Sequence, residues 1–166
     1  MTNLNWLETC FEIIYDYVPD DFSTLEARDE FSEIAAHAVS VAEYSRKTFI
    51  SDEDLLTVAK LYDDLSYGFE CIADLNSALK LGNKSIFIHE EVLGDNHPDT
   101  AKTYSNIALI YDEIGDYKTA LCLLNKAMRI DEEALGIDHH DTAITYNNLA
   151  LVYRNQGDYT KALEYF

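Results

Sequence analysis

Residues 93–120 read LGDNHPDTAKTYSNIALIYDEIGDYKTA, and residues 135–162 read LGIDHHDTAITYNNLALVYRNQGDYTKA. Gly94 and Gly136, Tyr104 and Tyr146, Tyr111 and Tyr153, Gly115 and Gly157, and Ala120 and Ala162 are each separated by 42 positions. A chain with one such period builds an array of like supersecondary units, because each unit can bury its apolar face only against its neighbours. Another step back by 42 places Tyr62, Leu65, Ser66, Phe69, Ala78 and Leu79 under Tyr104, Ile107, Ala108, Tyr111, Ala120 and Leu121. The array is therefore expected to begin near Ser51. This divides the chain into an amino-terminal helical region over 1–50, packed on the array, and about two and a half to three repeats over 51–166, the last truncated.

Each unit has the pattern of two helices. Tyr104, Ile107, Ala108 and Tyr111 recur at helical spacing, and the spacing resumes with Tyr117, Ala120, Leu121, Leu124 and Ala127. Between them Gly115 suits the left-handed position after a helix and Asp116 suits the cap of the next. Ala108 and Ala120, like Ala150 and Ala162, are small where the paired helices should cross. The first copy carries Ala73 at the turn and Gly82 where a large apolar residue would be usual, so that helix is expected to bend or pack closely.

Large aromatic, Leu or Ile with a small residue, Tyr, GDY, Ala, large apolar, Ala: over 51–166 this order resembles the tetratricopeptide repeat. The long period and the LGxxHPDTA linker are similar to the variant found in kinesin light chains. The resemblance implies an all-α, right-handed solenoid of helical hairpins, preceded here by two amphipathic helices.

Those two helices are read from the residues. Asn5–Tyr17, with Trp6, Leu7, Phe11 and Ile14 as packing anchors, should form one, ended by Pro19. A second should follow, with Ser23 and Glu26 as a capping box and Leu25, Phe31, Ile34, Ala35, Ala38, Val41 and Ala42 as its apolar stripe. The AAHAVSVAEYSRK stretch is similar to the junction where bacterial nucleotide-switch ATPases hand over to tetratricopeptide arrays. The chain itself has no Gly-Lys-Ser/Thr phosphate loop, which excludes P-loop nucleotide hydrolysis.

Charge narrows the partners. Against 12 Lys and Arg stand 31 Asp and Glu, a formal net charge of −19, so nucleic acid and anionic membrane faces are disfavoured and a basic partner is the complement. Cys10, Cys71 and Cys122 are odd in number and far apart, as expected of reduced thiols in an intracellular chain. The amino terminus lacks signal-peptide character and no apolar run approaches the roughly 20 residues that span a bilayer, so the expected location is cytoplasmic.

The residues that look like chemistry have simpler explanations. His97, Asp99 and Thr100 would need to converge on one substrate to act as a catalytic group. A helix start needs less: His97 or Asn96 as cap, Pro98 in the first helical position and Asp99 at the positive end of the dipole. His140 stands in the place of Pro98 in the next copy, and a line written twice argues against one active site. His139, His140, Asp138 and Asp141 are adjacent on a turn, a poor arrangement for one metal ion. His37 and His89 are expected at surface or boundary positions. No enzymatic activity, metal or cofactor is expected.

The inner face remains. In tetratricopeptide arrays the first helix of each pair lines a concave groove. The resemblance places Lys60, Asp63, Asp64, Tyr67 and Glu70 on that face in the first copy. It places Lys102, Ser105, Asn106, Leu109, Asp112 and Glu113 there in the second, and Ile144, Asn147, Asn148, Leu151, Arg154 and Asn155 in the third. The resemblance gives Asn148, with Asn106 as its mate and Asp64 in the first copy, the role of holding a peptide backbone. An amide suits that task because it both donates and accepts; the alternative is that these amides bridge neighbouring helices. The groove carries Asp63, Asp64, Glu70, Asp112 and Glu113, so a bound peptide or partner helix is expected to contain Lys or Arg. The other expectation is a structural or sensor segment of a larger signalling protein that stacks end to end. Ala162, Leu163 and Phe166 would then form an open, self-associating face.

Overall fold

The computed structural model describes Glu12, residues 23–47 and residues 51–165. These form helices and connecting turns, with no strand among the described residues. The helices are α1 (Leu25–Lys47), α2 (Asp52–Cys71), α3 (Leu75–Val92), α4 (Pro98–Ile114), α5 (Tyr117–Ala134), α6 (His140–Gln156) and α7 (Tyr159–Tyr165). Within the helix expected over Asn5–Tyr17, only Glu12 is described, and it is helical. Trp6, Leu7, Cys10, Phe11, Ile14 and Pro19 lie outside the described residues, as does Phe166. Two compact units divide between Ile88 and His89, within α3.

In the first unit α1 packs on α2. Phe31, Ala35, Ala38 and Ala42 are buried at helical spacing on α1, while Leu25, expected in that stripe, is 78% exposed. The stripe starts a turn and a half later because Leu25 is the first residue of the helix. The cap is also displaced from the expected Ser23: the Thr24 hydroxyl accepts the Ala27 N–H at 3.1 Å.

Phe31 meets Phe69 edge-on, with centroids 5.1 Å apart, and its ring lies directly over Gly68. A capping box between Ser51 and Asp54 starts α2. At the turn Ala73 takes the left-handed conformation in place of glycine, with φ 62°. Asp74 then caps α3 by accepting the Ser77 N–H at 3.1 Å. The Ser66 hydroxyl donates to the Ala78 carbonyl at 2.8 Å, tying α2 to α3 through two small residues. Helix α3 continues unbroken through Gly82, which is buried.

In the second unit α5 packs on α4 and α6, and α7 on α6. Ala108, Ala120, Leu124, Leu149 and Val152 form a buried cluster at these crossings. Burying a leucine of this kind contributes about 1.5–3 kcal/mol. The paired turns obey one rule. Gly115 and Gly157 close α4 and α6 in the left-handed region at φ 86° and 90°. Asp116 and Asp158 then accept the Thr119 and Lys161 N–H groups, each at 3.2 Å. The HPDT and HHDT lines are helix starts, with His97 and His139 as the caps of α4 and α6. The Thr100 and Thr142 hydroxyls reach back to the Gly94 and Gly136 carbonyls at 2.9 and 2.8 Å, pinning the linker to the helix it begins.

Ala162 does not meet solvent as the stacking expectation had it. It is 3% exposed, since α7 turns back and packs on α6, whereas Leu163 on the opposite side is 76% exposed.

Candidate functional site

Helical spacing brings Lys102, Ser105, Asn106, Leu109, Asp112 and Glu113 to one face of α4, and Ile144, Asn147, Asn148, Leu151, Arg154 and Asn155 to one face of α6. The two helices contact each other directly. Lys102, Asn106, Glu113, Ile144, Asn147, Arg154 and Asn155 are exposed, while Leu109, Leu151 and Asn148 are half-buried. Ser105 and Asp112 are buried, at 5% and 8% exposure. Asp112 has turned inward to accept the Asn155 amide at 2.7 Å, so these two expected groove residues are bonded to each other across α4 and α6. This link bridges neighbouring helices, though through Asn155 rather than through Asn106 or Asn148.

Between α4, the end of α5 and α6 lies a cleft of about 140 Å³. Five of the expected residues line it: Lys102, Ser105, Asn106, Ile144 and Asn148. It also takes Pro98 and Asp99 from α4, Asp131 from the end of α5 and Leu135 just after it, and Asp141 and Thr145 from α6, which the inner-face pattern did not include. The signal for two of them was present in the sequence. Asp99 and Asp141 are equivalents in the HPDT and HHDT lines, where their part in the helix starts accounted for them.

The first-copy residues sit on α2 in the other unit. There Lys60, Asp64 and Tyr67 are exposed and Asp63 and Glu70 half-buried. The hydrogen bond between the Tyr67 hydroxyl and the Cys71 thiol raises the tyrosine's pKa.

The electrostatics of the cleft follow from the caps. Asp99 and Asp141 donate their backbone N–H groups to His97 Nδ1 and His139 Nδ1, each at 3.2 Å. A ring nitrogen that accepts carries no proton, so it offers none to the carboxylates 3.5 and 3.6 Å away. No lysine or arginine among the described residues pairs with either carboxylate. Deeper in, Asp131 is 4% exposed and accepts the Thr145 hydroxyl at 2.7 Å; burial pushes its pKa up.

The equivalent of Asp131 in the preceding copy is His89. Expected at a surface or boundary position, it is buried, with Nδ1 3.0 Å from the Thr103 hydroxyl and its pKa lowered by burial. The threonine is kept at both positions and the partner changes. Beside each pair a tyrosine donates to a glutamate of the preceding helix, Tyr104 to Glu90 and Tyr146 to Glu132. This hydrogen bond, with burial, raises the Tyr146 pKa to about 12. Lys126 lies over the Tyr104 ring, 4.1 Å from its centroid. These groups fasten neighbouring helices to one another.

Among the described residues no cluster of three or more His, Cys, Asp or Glu side chains is placed to hold a metal ion. No described helix is long and apolar enough to cross a membrane. Cys71 and Cys122 are exposed free thiols.

The chain matches no curated protein sequence. Solved structures resemble it in fold. A kinesin light chain protein of Podosopora anserina with nearly identical TPR-like repeats is 19% identical, with a TM-score of 0.71 over 99% of this chain and 74% of that one. BtubC (BKLC) from P. vanneervenii is 14% identical, with a TM-score of 0.69 over 99% of this chain and 71% of that one. The apo form of RapI is 21% identical, with a TM-score of 0.77 over 99% of this chain but 42% of RapI. The tetratricopeptide repeat sequence pattern matches residues 58–133 and 123–166. With the hairpin turns, the small residues at the crossings and the period all in register, this chain belongs to the tetratricopeptide repeat family, in a form whose structural neighbours include kinesin-light-chain-like proteins.

Proposed function

We propose that this chain is a non-enzymatic, cytoplasmic interaction module that holds an extended or helical segment of a basic protein partner against the face formed by α4 and α6. Tetratricopeptide arrays are protein-interaction scaffolds, which supports the general reading. The observation that carries the particular one is the pair Asn106 and Asn148. These equivalents in successive copies both line the cleft, and neither side-chain amide is engaged by a hydrogen bond within the described residues. An amide free to donate and accept can pair with a peptide backbone whatever its side chains. The formal charge of −19 and the unneutralised Asp99 and Asp141 favour Lys or Arg in the bound segment.

Isothermal titration against a library of basic peptides tests this reading. Asn106→Ala and Asn148→Ala should each weaken binding, and unchanged affinity in both would remove the assignment.

A second reading has its own observation. Leu163 and Tyr159 on α7 are 76% and 67% exposed, an apolar face of the kind that repeat units cover by stacking. On this reading the chain is a structural or sensor segment of a larger signalling protein and self-associates through α7. Light scattering over a range of concentrations should show a dimer that Leu163→Glu abolishes; a monomer throughout would exclude it.

A further inference from the structure

The cleft at the ends of α4, α5 and α6 is too small for a whole small-molecule ligand. Sites of that kind occupy about 300 Å³ or more, against about 140 Å³ here. A space of this size takes one long side chain. Its walls say which kind: Pro98, Leu135 and Ile144 are apolar, and Ile144 is 45% exposed at present. Three carboxylates arrive from three different helices, Asp99 on α4, Asp131 on α5 and Asp141 on α6. Two of them, Asp99 and Asp141, have no lysine or arginine partner among the described residues, and their own backbone N–H groups are spent on the caps.

Ser105 gives a separate indication that something is missing. It lines the cleft, is 5% exposed, and its hydroxyl has no hydrogen-bond partner among the described residues. An unsatisfied buried hydroxyl is costly and uncommon in a finished interior.

We infer that this cleft is the specificity pocket for one lysine side chain of the partner, its methylene stem lying on Pro98, Leu135 and Ile144 and its ammonium meeting the carboxylates of Asp99 and Asp141. This rests on the interaction reading above and says which partner residue is read and where. A compact ammonium with three donors suits acceptors that converge from separate helices, whereas the flat fork of arginine suits a single carboxylate approached edge-on. Arginine and an acidic residue attracted by Lys102 are therefore the competing occupants.

The test uses the whole chain and the tightest binder from a phage-displayed library of random linear peptides. Each basic residue of that peptide is replaced in turn by norleucine, which keeps the stem and removes the charge. One lysine replacement should weaken binding about tenfold, the order expected when two partly exposed pairings are lost together. The same replacement should change binding to the Asp99→Asn, Asp141→Asn double variant by less than about twofold, and its effect should persist in Glu133→Gln, which removes a charge elsewhere on α5. A binder that lacks such a lysine, prefers arginine there, or loses the same factor in the double variant overturns the pocket while leaving the interaction reading intact. Failure of every library peptide to bind overturns both.

Discussion

Replacing Gly68 by alanine should destabilise the first unit, although the same change in most helix interiors stabilises. Gly68 lies inside α2, where alanine is favoured over glycine by about 1 kcal/mol on backbone grounds alone. Here the added methyl would sit 2.2 Å from Phe31 Cζ and 2.6 Å from Cε2. Carbon atoms in contact prefer about 3.5–4.0 Å, so the ring must retreat by more than an ångström. It has little room to do so, being 1% exposed and set edge-on against Phe69. Overpacking of this kind costs about 1–3 kcal/mol. A clash at the severe end of that range outweighs the helix gain, leaving a net loss of about 1–2 kcal/mol. Equilibrium urea unfolding monitored by far-ultraviolet circular dichroism would read this as a lower midpoint. Phe31→Leu in the Gly68→Ala background should recover part of the loss, because the shorter side chain vacates the ring's space. A Gly68→Ala variant as stable as the parent, or more so, would refute the close-packing argument.

Asn155→Ala should cost about 1–3 kcal/mol by leaving a buried carboxylate at Asp112 with neither oxygen paired, and Asp112→Ala in that background should restore part of it; thermal melts of the two variants decide this. His89 and Asp131 should respond to pH in opposite directions. Burial lowers the His89 pKa, so the unfolded chain binds its proton first and stability falls as pH drops below about 6.5. His89→Gln should flatten that limb in urea titrations at a series of pH values. Burial raises the Asp131 pKa, so its contribution is fully present below about 3.9 and is lost as pH rises through the folded value. Asp131→Asn, which can still accept from Thr145, should therefore be as stable as the parent or more so at neutral pH.

The parts of the fold that recur were legible in the sequence. Gly115, Asp116, Pro98 and the alanine pairs sit where local rules put them, because caps, turns and crossings depend on a few neighbours and the period states them twice. The divergent first copy also kept its pattern, with Ala73 accepting the left-handed turn that glycine would have taken more easily. The errors fall where a side chain answers to a distant partner. In a charged stretch His89 suits a surface or boundary position, and only the Thr103 hydroxyl arriving from the next helix reveals why it is inside. Asp112 belonged to the inner face by register, yet it turns toward Asn155, a contact across 43 positions of sequence. Leu25 counted as apolar stripe by spacing, but it is the first residue of α1 and stays exposed. In the cleft the missed residues were the carboxylates beside the caps, since Asp99 and Asp141 already had a sufficient explanation in the helix dipole.

The central claim is that the copies share a packing code while the residues between carry recognition, and binding to the α4 and α6 face tests it most directly. Titration calorimetry of a basic peptide selected against the whole chain should give an affinity that Asn106→Ala and Asn148→Ala each weaken by about five- to tenfold, the loss of one hydrogen bond apiece. Urea midpoints should remain at the parent value, since neither amide fastens the fold. Full affinity in both variants, or a loss that follows their stability, would contradict the account.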